Sequence, residues 1–195
     1  MSSRVPQRVG RPAAATRDDA LKLALAHYLQ GRRIDVRALA GELGIGRTTV
    51  HRWFGTREDL IGDVLAVAAV ELLEATRREV GGHGGSALLE TFDRFNRALL
   101  AVPALRTFIA GERDALRVIT RADHGPNPSL VRSIASMITD EVAHGHFVAP
   151  LEAETLAFAI VRLAEAFLYG EPATGMRQDI DRLRQVEAII LGVTP

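Results

Sequence analysis

The sequence predicts an all-α protein: an N-terminal three-helix unit with helix-turn-helix spacing, followed by a C-terminal helical bundle. Three observations carry this. Apolar residues recur at helical spacing almost end to end. No segment combines period-two alternation with β-branched enrichment and hairpin turn signals. Glycine and proline fall where helices of ordinary length would stop.

Taken in order, residues 1–16 read as a disordered basic arm, broken by Pro6, Gly10 and Pro12. A first helix is expected over residues 17–30, with Leu21, Leu25, Tyr28 and Leu29 as its apolar face and Gly31 ending it. Asp35 is placed to cap a second helix, residues 36–43, which stops at Gly44. A third, residues 47–53, stops at Gly55. Thr56 with Glu58 and Asp59 gives a hydroxyl cap followed by acids, opening a fourth helix to residue 80. The glycine-rich run 81–85 is the clearest loop. Further helices are expected over 86–101, 104–122 (with Gly111 a candidate break), 128–144, 153–169 and 176–191. The expected units are therefore 1–16 as arm, 17–57 as the helix-turn-helix domain and 58–195 as the helical bundle.

Composition narrows the function. With 195 residues, 47% of them hydrophobic, the chain can bury a sizeable core. It has no cysteine, which removes disulfides, thiolate metal sites and a cysteine nucleophile. No secretory h-region or membrane span is legible, so a bacterial cytoplasm is the expected compartment. The 24 basic and 24 acidic residues balance overall but not locally. Residues 1–60 hold 11 basic and 6 acidic residues, the remainder 13 and 18. A basic end suits a polyanion partner; a solvated charged face is the competing reading.

Ala40, Gly44 and Val50 add to the first reading. A helix-turn-helix needs a small residue where the second helix crosses the first. It needs a positive-φ residue in the turn, and a branched apolar residue facing back into the core. These three residues supply those groups at offsets of four and six. The outward face of the second helix then carries Arg47, Thr48, Thr49, His51 and Arg52, side chains able to reach base edges and phosphates in a major groove. Arg37 and Arg57 are the flanking basic candidates. The alternative is an ordinary helical corner.

The run from Leu39 to Leu60 resembles the N-terminal signature of TetR-family regulators, with the match good at Ala40, Gly44, Thr49, Val50, Phe54 and Leu60. It departs at Gly46, where the family usually has Ser or Thr, at His51, where it has a phosphate-holding Tyr, and at Trp53, where it has His or Tyr. The segments 141–145 and 156–169 are similar to the subgroup of regulators of quorum-signal lactone degradation. The resemblance implies a repressor that binds a palindromic operator as a homodimer through its last two helices and is released by a small, lactone-type molecule. It implies a basic role for Arg57 at the start of the fourth helix, and makes 17–57 the DNA-binding domain and 58–195 the ligand-sensing and dimerisation domain. Leu156, Ile160, Leu163, Phe167 and Leu168, with Ile180, Leu183, Val186, Ile190 and Leu191, are the stripes available for pairing. The arm around Gly10-Arg11-Pro12 either enters a minor groove or adds only non-specific affinity.

For the effector, Phe92, Phe95, Leu99, Phe108, Leu116, Ile119, Ile138 and Phe158 are candidate cavity-lining residues, with Asn96 as a neutral polar group. Glu112 and Arg113, beside Gly111, are lesser candidates. Arg162 and Glu165 stand three apart on an apolar helix. They are either a structural pair or the anchor of a polar ligand group. No enzyme is expected: His83-Gly84-Gly85 has no nucleophile elbow after it, and there is no P-loop. No cofactor is expected. His144-Gly145-His146 shows no third ligand at a recognisable spacing, so no metal is expected either. The alternative function is a helical small-molecule-binding protein or enzyme without specific DNA binding.

Overall fold

The computed structural model describes residues 15–169 and 178–194. The N-terminal arm up to residue 14, including Gly10-Arg11-Pro12, and the joint at Gly170-Glu171-Pro172 lie outside the described residues. Among the described residues there are ten helices and no strand.

Helices α1 (Arg17–Leu29), α2 (Val36–Glu42) and α3 (Arg47–Phe54) form the N-terminal unit. Thr16 and Asp19 close a capping box on α1, and the Asp35 carboxylate accepts from the Ala38 N–H to start α2. The α2–α3 turn is a Schellman closure. Gly44 N–H donates to the Gly41 carbonyl and Ile45 N–H to the Ala40 carbonyl, at 3.2 and 3.0 Å. Gly44 takes φ +66°, which an L side chain adopts only under strain. Ala40 and Val50 are buried beneath it.

Helix α4 (Arg57–Val80) is the spine, 24 residues and about 36 Å long. It packs on α1 at one end and on α5 (Gly84–Ala101) and α8 (Pro126–Ala143) further along. The short α6 (Pro103–Gly111) and α7 (Ala115–Ile119) follow α5, so the chain does break at Gly111. Helices α9 (Ala153–Tyr169) and α10 (Ile180–Leu191) pack on each other, and on α8 and α5 respectively. Leu99 touches all three hydrophobic clusters and joins the N-terminal core to the bundle core. No helix among the described residues is long and apolar enough to cross a membrane.

Several expectations are corrected. The inner face of α1 is Ala20, Ala24, His27 and Tyr28, while Leu29 is 60% exposed. Small residues face inward because α1 lies close against α4, and His27 is tolerated inside because its Nε2 meets Glu42 Oε2 at 3.1 Å. Helix α5 begins inside the glycine run, two residues early, because Gly84 (φ +79°) and Gly85 permit a close approach. A Cβ on Gly84 would sit 2.7 Å from the His146 carbonyl, and one on Gly85 2.6 Å from Val193 Cγ1. Helix α8 starts early as well, with Pro126 in its first turn. The stripes assigned to pairing are mostly internal: Leu156, Ile160, Phe167, Leu168, Ile180, Leu183 and Leu191 are buried within the one chain. The large apolar side chains that α9 and α10 leave exposed are Phe158 and Ile189.

Candidate functional site

The outer face of the N-terminal unit is polar by construction. Val50 and Phe54 turn inward, which forces Arg47, Thr48, His51 and Arg52 outward, and all four are exposed. Thr49 is half-buried, and Arg37 is exposed on α2. His51 Nδ1–H donates to the Gly55 carbonyl at 2.9 Å, so the ring closes the end of α3 and leaves Nε2 for another partner. Gly46 caps α3 without a side-chain hydrogen bond, so the helix begins with its first N–H groups open at the same surface.

Arg57 is elsewhere. Its Nε donates to the Ile34 carbonyl at 2.8 Å, and Nη1 and Nη2 reach Glu112 Oε2 and Oε1 at 3.2 and 2.6 Å. This bidentate pair is only one-fifth to one-quarter exposed and faces the α6–α7 joint. The basic role on DNA expected for Arg57 is therefore corrected to an internal clamp. Glu112, expected near the ligand, is corrected with it: Arg57 chiefly, then Arg33, hold its carboxyl below the usual range.

The clamp is one of three along the first turns of α4. The Asp59 carboxylate accepts from the Thr56 N–H and hydroxyl at 3.0 and 2.7 Å, and from Arg121 Nη1 at 2.8 Å. Those contacts, the Thr56 hydroxyl first, lower its pKa to about 2. Asp63 pairs with Arg17 at 2.6 Å and lies 3.2 Å from His124 Nε2. Gly62 lets the α7–α8 loop approach: a Cβ there would meet Gly125 Cα at 3.4 Å and His124 Cδ2 at 3.0 Å. Arg17 also lies over the Phe54 ring at 4.5 Å, tying α1 to α3. Apart from the Thr56–Asp59 cap, these partners stand tens of residues apart, so the sequence alone could not pair them.

Behind the clamps lies a cavity of about 200 Å³. Its wall takes Leu65, Ala68, Ala69 and Leu72 from α4, Phe92, Phe95, Asn96 and Leu99 from α5, and Ile160, Val161 and Glu165 from α9. Phe92, Phe95, Asn96, Leu99 and Glu165 are thus brought together as expected. Ile119 lines the same cavity, but the remaining candidates do not. Ile138 is fully buried but belongs to the α8 core, Leu116 is 44% exposed, and Phe108 lines a separate cleft beside Glu112. Phe158 is 52% exposed and lies outside, with the Arg162 guanidinium 5.2 Å from its ring centre. Helix α9 is apolar nearly all round, so its periodicity did not say which side faced in.

Glu165 has both oxygens occupied: Asn127 Nδ2 donates to Oε1 and Arg162 Nη1 to Oε2, each at 2.6 Å. Burial nevertheless raises its pKa. Four wall residues with polar groups were missed: Tyr28, Asn127, Tyr169 and Glu187. A signal existed for Glu187. It stands four residues after Leu183 and four before Leu191, on the buried stripe of α10.

A second missed grouping is at the far end of α4. His83, Glu141 and His146 each bring a potential ligand atom within 4.8 Å of the others. Both Glu141 oxygens are already engaged, Oε1 by Arg77 and Oε2 by the Gly84 N–H, each at 2.6 Å. Burial opposes ionisation, but those donors hold its pKa below the ordinary range, so the cluster acts as a strap across the α4–α5 loop.

A family model described as Tetracyclin repressor-like, C-terminal domain, matches residues 83–192. No curated protein sequence matches the chain. Among solved structures, the chain is similar to the transcriptional repressor QsdR of R. erythropolis, from the TetR family. The identity is 28% and the TM-score 0.83, over 92% of this chain and 95% of that one. It also aligns with the TetR family regulator PfmR of Thermus thermophilus at 16% identity and a TM-score of 0.45, over 92% and 98% of the two chains. With its N-terminal helix-turn-helix and matching C-terminal domain, the chain belongs to the TetR family of DNA-binding transcriptional regulators.

Proposed function

We propose that this chain is a cytoplasmic repressor that binds a palindromic operator as a homodimer and releases it when a small molecule enters the cavity. Arg47, Thr48, Thr49, His51 and Arg52 read the major groove, and Arg37 contacts the backbone. Pairing through α9 and α10 covers Phe158 and Ile189 and sets two recognition helices at a fixed spacing. The observation that carries this reading is the double duty of α4. The helix starts three residues after Phe54, where α3 ends, and its Leu65–Leu72 stretch walls the cavity. A ligand that displaces α4 moves the Arg57, Asp59 and Asp63 clamps, and with them α3. Release then follows from different ligand affinity in the two arrangements. QsdR is a repressor, and a lactone-type effector follows from the resemblance of segments 141–145 and 156–169 to the lactone-degradation regulators.

The test is a gel shift with the DNA upstream of its own gene. A sequence-preferring, salt-sensitive complex that small lactones dissociate is expected. A complex with no sequence preference, or one that no cavity-binding compound dissociates, would contradict the reading.

A further inference from the structure

The cavity wall holds one fully buried carboxyl oxygen that has no partner among the described residues. Glu187 is fully buried, and it lines the cavity. Its Oε1 accepts from Asn96 Nδ2 at 3.2 Å, while Oε2 has no hydrogen-bond partner among the described residues. Orphaned buried polar atoms are few in folded proteins, and each costs stability unless something fills it. No Arg, Lys or His lines this cavity, and the other carboxyl in the wall, Glu165, is saturated by Asn127 and Arg162.

We propose that Glu187 is the head-group anchor of the effector site: in its neutral form its Oε2–H donates to an acceptor, such as a carbonyl oxygen, on an uncharged, otherwise apolar molecule. This rests on the cavity being the effector site and adds the chemical class of the effector. Three features select that class. An anion would be buried beside two carboxyl groups with no counter-charge. A cation would need Glu187 ionised in a wall made almost entirely of hydrocarbon. Burial works against that: it raises the Glu187 pKa to about 8, with Asn96 and Arg184 opposing and Asp93 adding to the rise. An uncharged acceptor needs neither and fills the open valence of Glu187 Oε2. The size follows from the volume. A dry cavity of about 150 Å³ holds benzene, so the 200 Å³ here suits a molecule somewhat larger.

The experiment titrates the full chain with 2-nonanone, nonanoate and nonylamine, probes of equal chain length with different heads, and follows affinity and melting temperature. Wild type is expected to bind the ketone about tenfold or more tightly than either ion. Glu187→Gln keeps an acceptor for Asn96 and a donor for the ligand, and should hold the ketone within about threefold of wild type. Glu187→Leu should lose about fivefold to tenfold, the worth of one neutral hydrogen bond. Tightest binding of nonylamine, lost in Glu187→Gln, would overturn the neutral-acid assignment. So would equal binding of all three probes, or ketone binding unchanged in Glu187→Leu. Should Glu187→Leu not fold, probe selectivity and Glu187→Gln decide alone. If no probe binds wild type or shifts its melting temperature, the effector-site reading falls and the anchor with it.

Discussion

Asp59→Asn gives the most quantitative check on the clamp between α4 and its neighbours. Asp59 has a pKa of about 2 against an ordinary 3.8, because the ionised form is held by the Thr56 hydroxyl, the Thr56 N–H and Arg121. Its side chain is 24% exposed, so solvent screening trims the effect without removing it. At 1.36 kcal/mol per pKa unit the difference amounts to about 2 kcal/mol. The shift is downward, so this stability is complete above the unfolded value near pH 4 and is lost as pH falls through the folded value near 2. Asparagine keeps the shape but not the charge. At pH 7 the variant should lose about 2 kcal/mol in urea unfolding, which for a chain of this size lowers Tm by roughly 4–8 °C. At pH 3 the gap to wild type should shrink to about half, because wild type has begun to lose the same contribution. A gap that stays constant from pH 7 to pH 3, or a variant as stable as wild type, would refute the assignment of Asp59 as a charged clamp.

Other consequences are as specific. Gly44→Ala places a side chain at φ +66° in the helix-turn-helix turn and should cost about 1–2 kcal/mol, read by thermal unfolding, although no heavy atom obstructs the added Cβ. Glu112→Gln removes the charge facing Arg57. It should cost about 1–2 kcal/mol of stability and weaken effector-driven DNA release while leaving ligand affinity unchanged, as titration calorimetry beside a gel shift would show. Glu187→Gln should stabilise the ligand-free chain at pH 7 by roughly 3 kcal/mol at most and by nothing below pH 4. The raised pKa of about 8 means wild type loses stability as pH climbs from the unfolded value toward 8. Denaturant unfolding at the two pH values separates this from a simple packing change.

The sequence was informative wherever one helix or one turn sets the outcome. Ala40, Gly44 and Val50 belong to a closure in which every hydrogen bond spans a few residues, so their spacing was enough. The Thr56–Asp59 box was legible for the same reason. Arg57 was misplaced because its partner, Glu112, stands 55 residues away. One chain carries no trace of such a pairing. Phe158, Leu116 and the pairing stripes were misplaced because helices that are apolar on more than one face do not declare which face is covered. Glu187 was overlooked for the opposite reason. A charged residue in the last helix reads as solvent-facing unless it is placed against Leu183 and Leu191, which share its stripe.

The central claim is that α3 presents Arg47 to Arg52 to a specific DNA sequence and that the cavity controls this contact. It is tested most directly by selecting DNA from a random pool with the wild-type chain and with Thr48→Ala and Arg52→Ala, then measuring binding of the selected sequence with and without a cavity ligand. An enriched inverted repeat is expected, with a loss of about 1–3 kcal/mol in a variant that gives up a base contact. Dissociation on adding the ligand is expected as well. An unenriched pool, or a selected site bound equally by both variants and by the ligand-loaded protein, would contradict it.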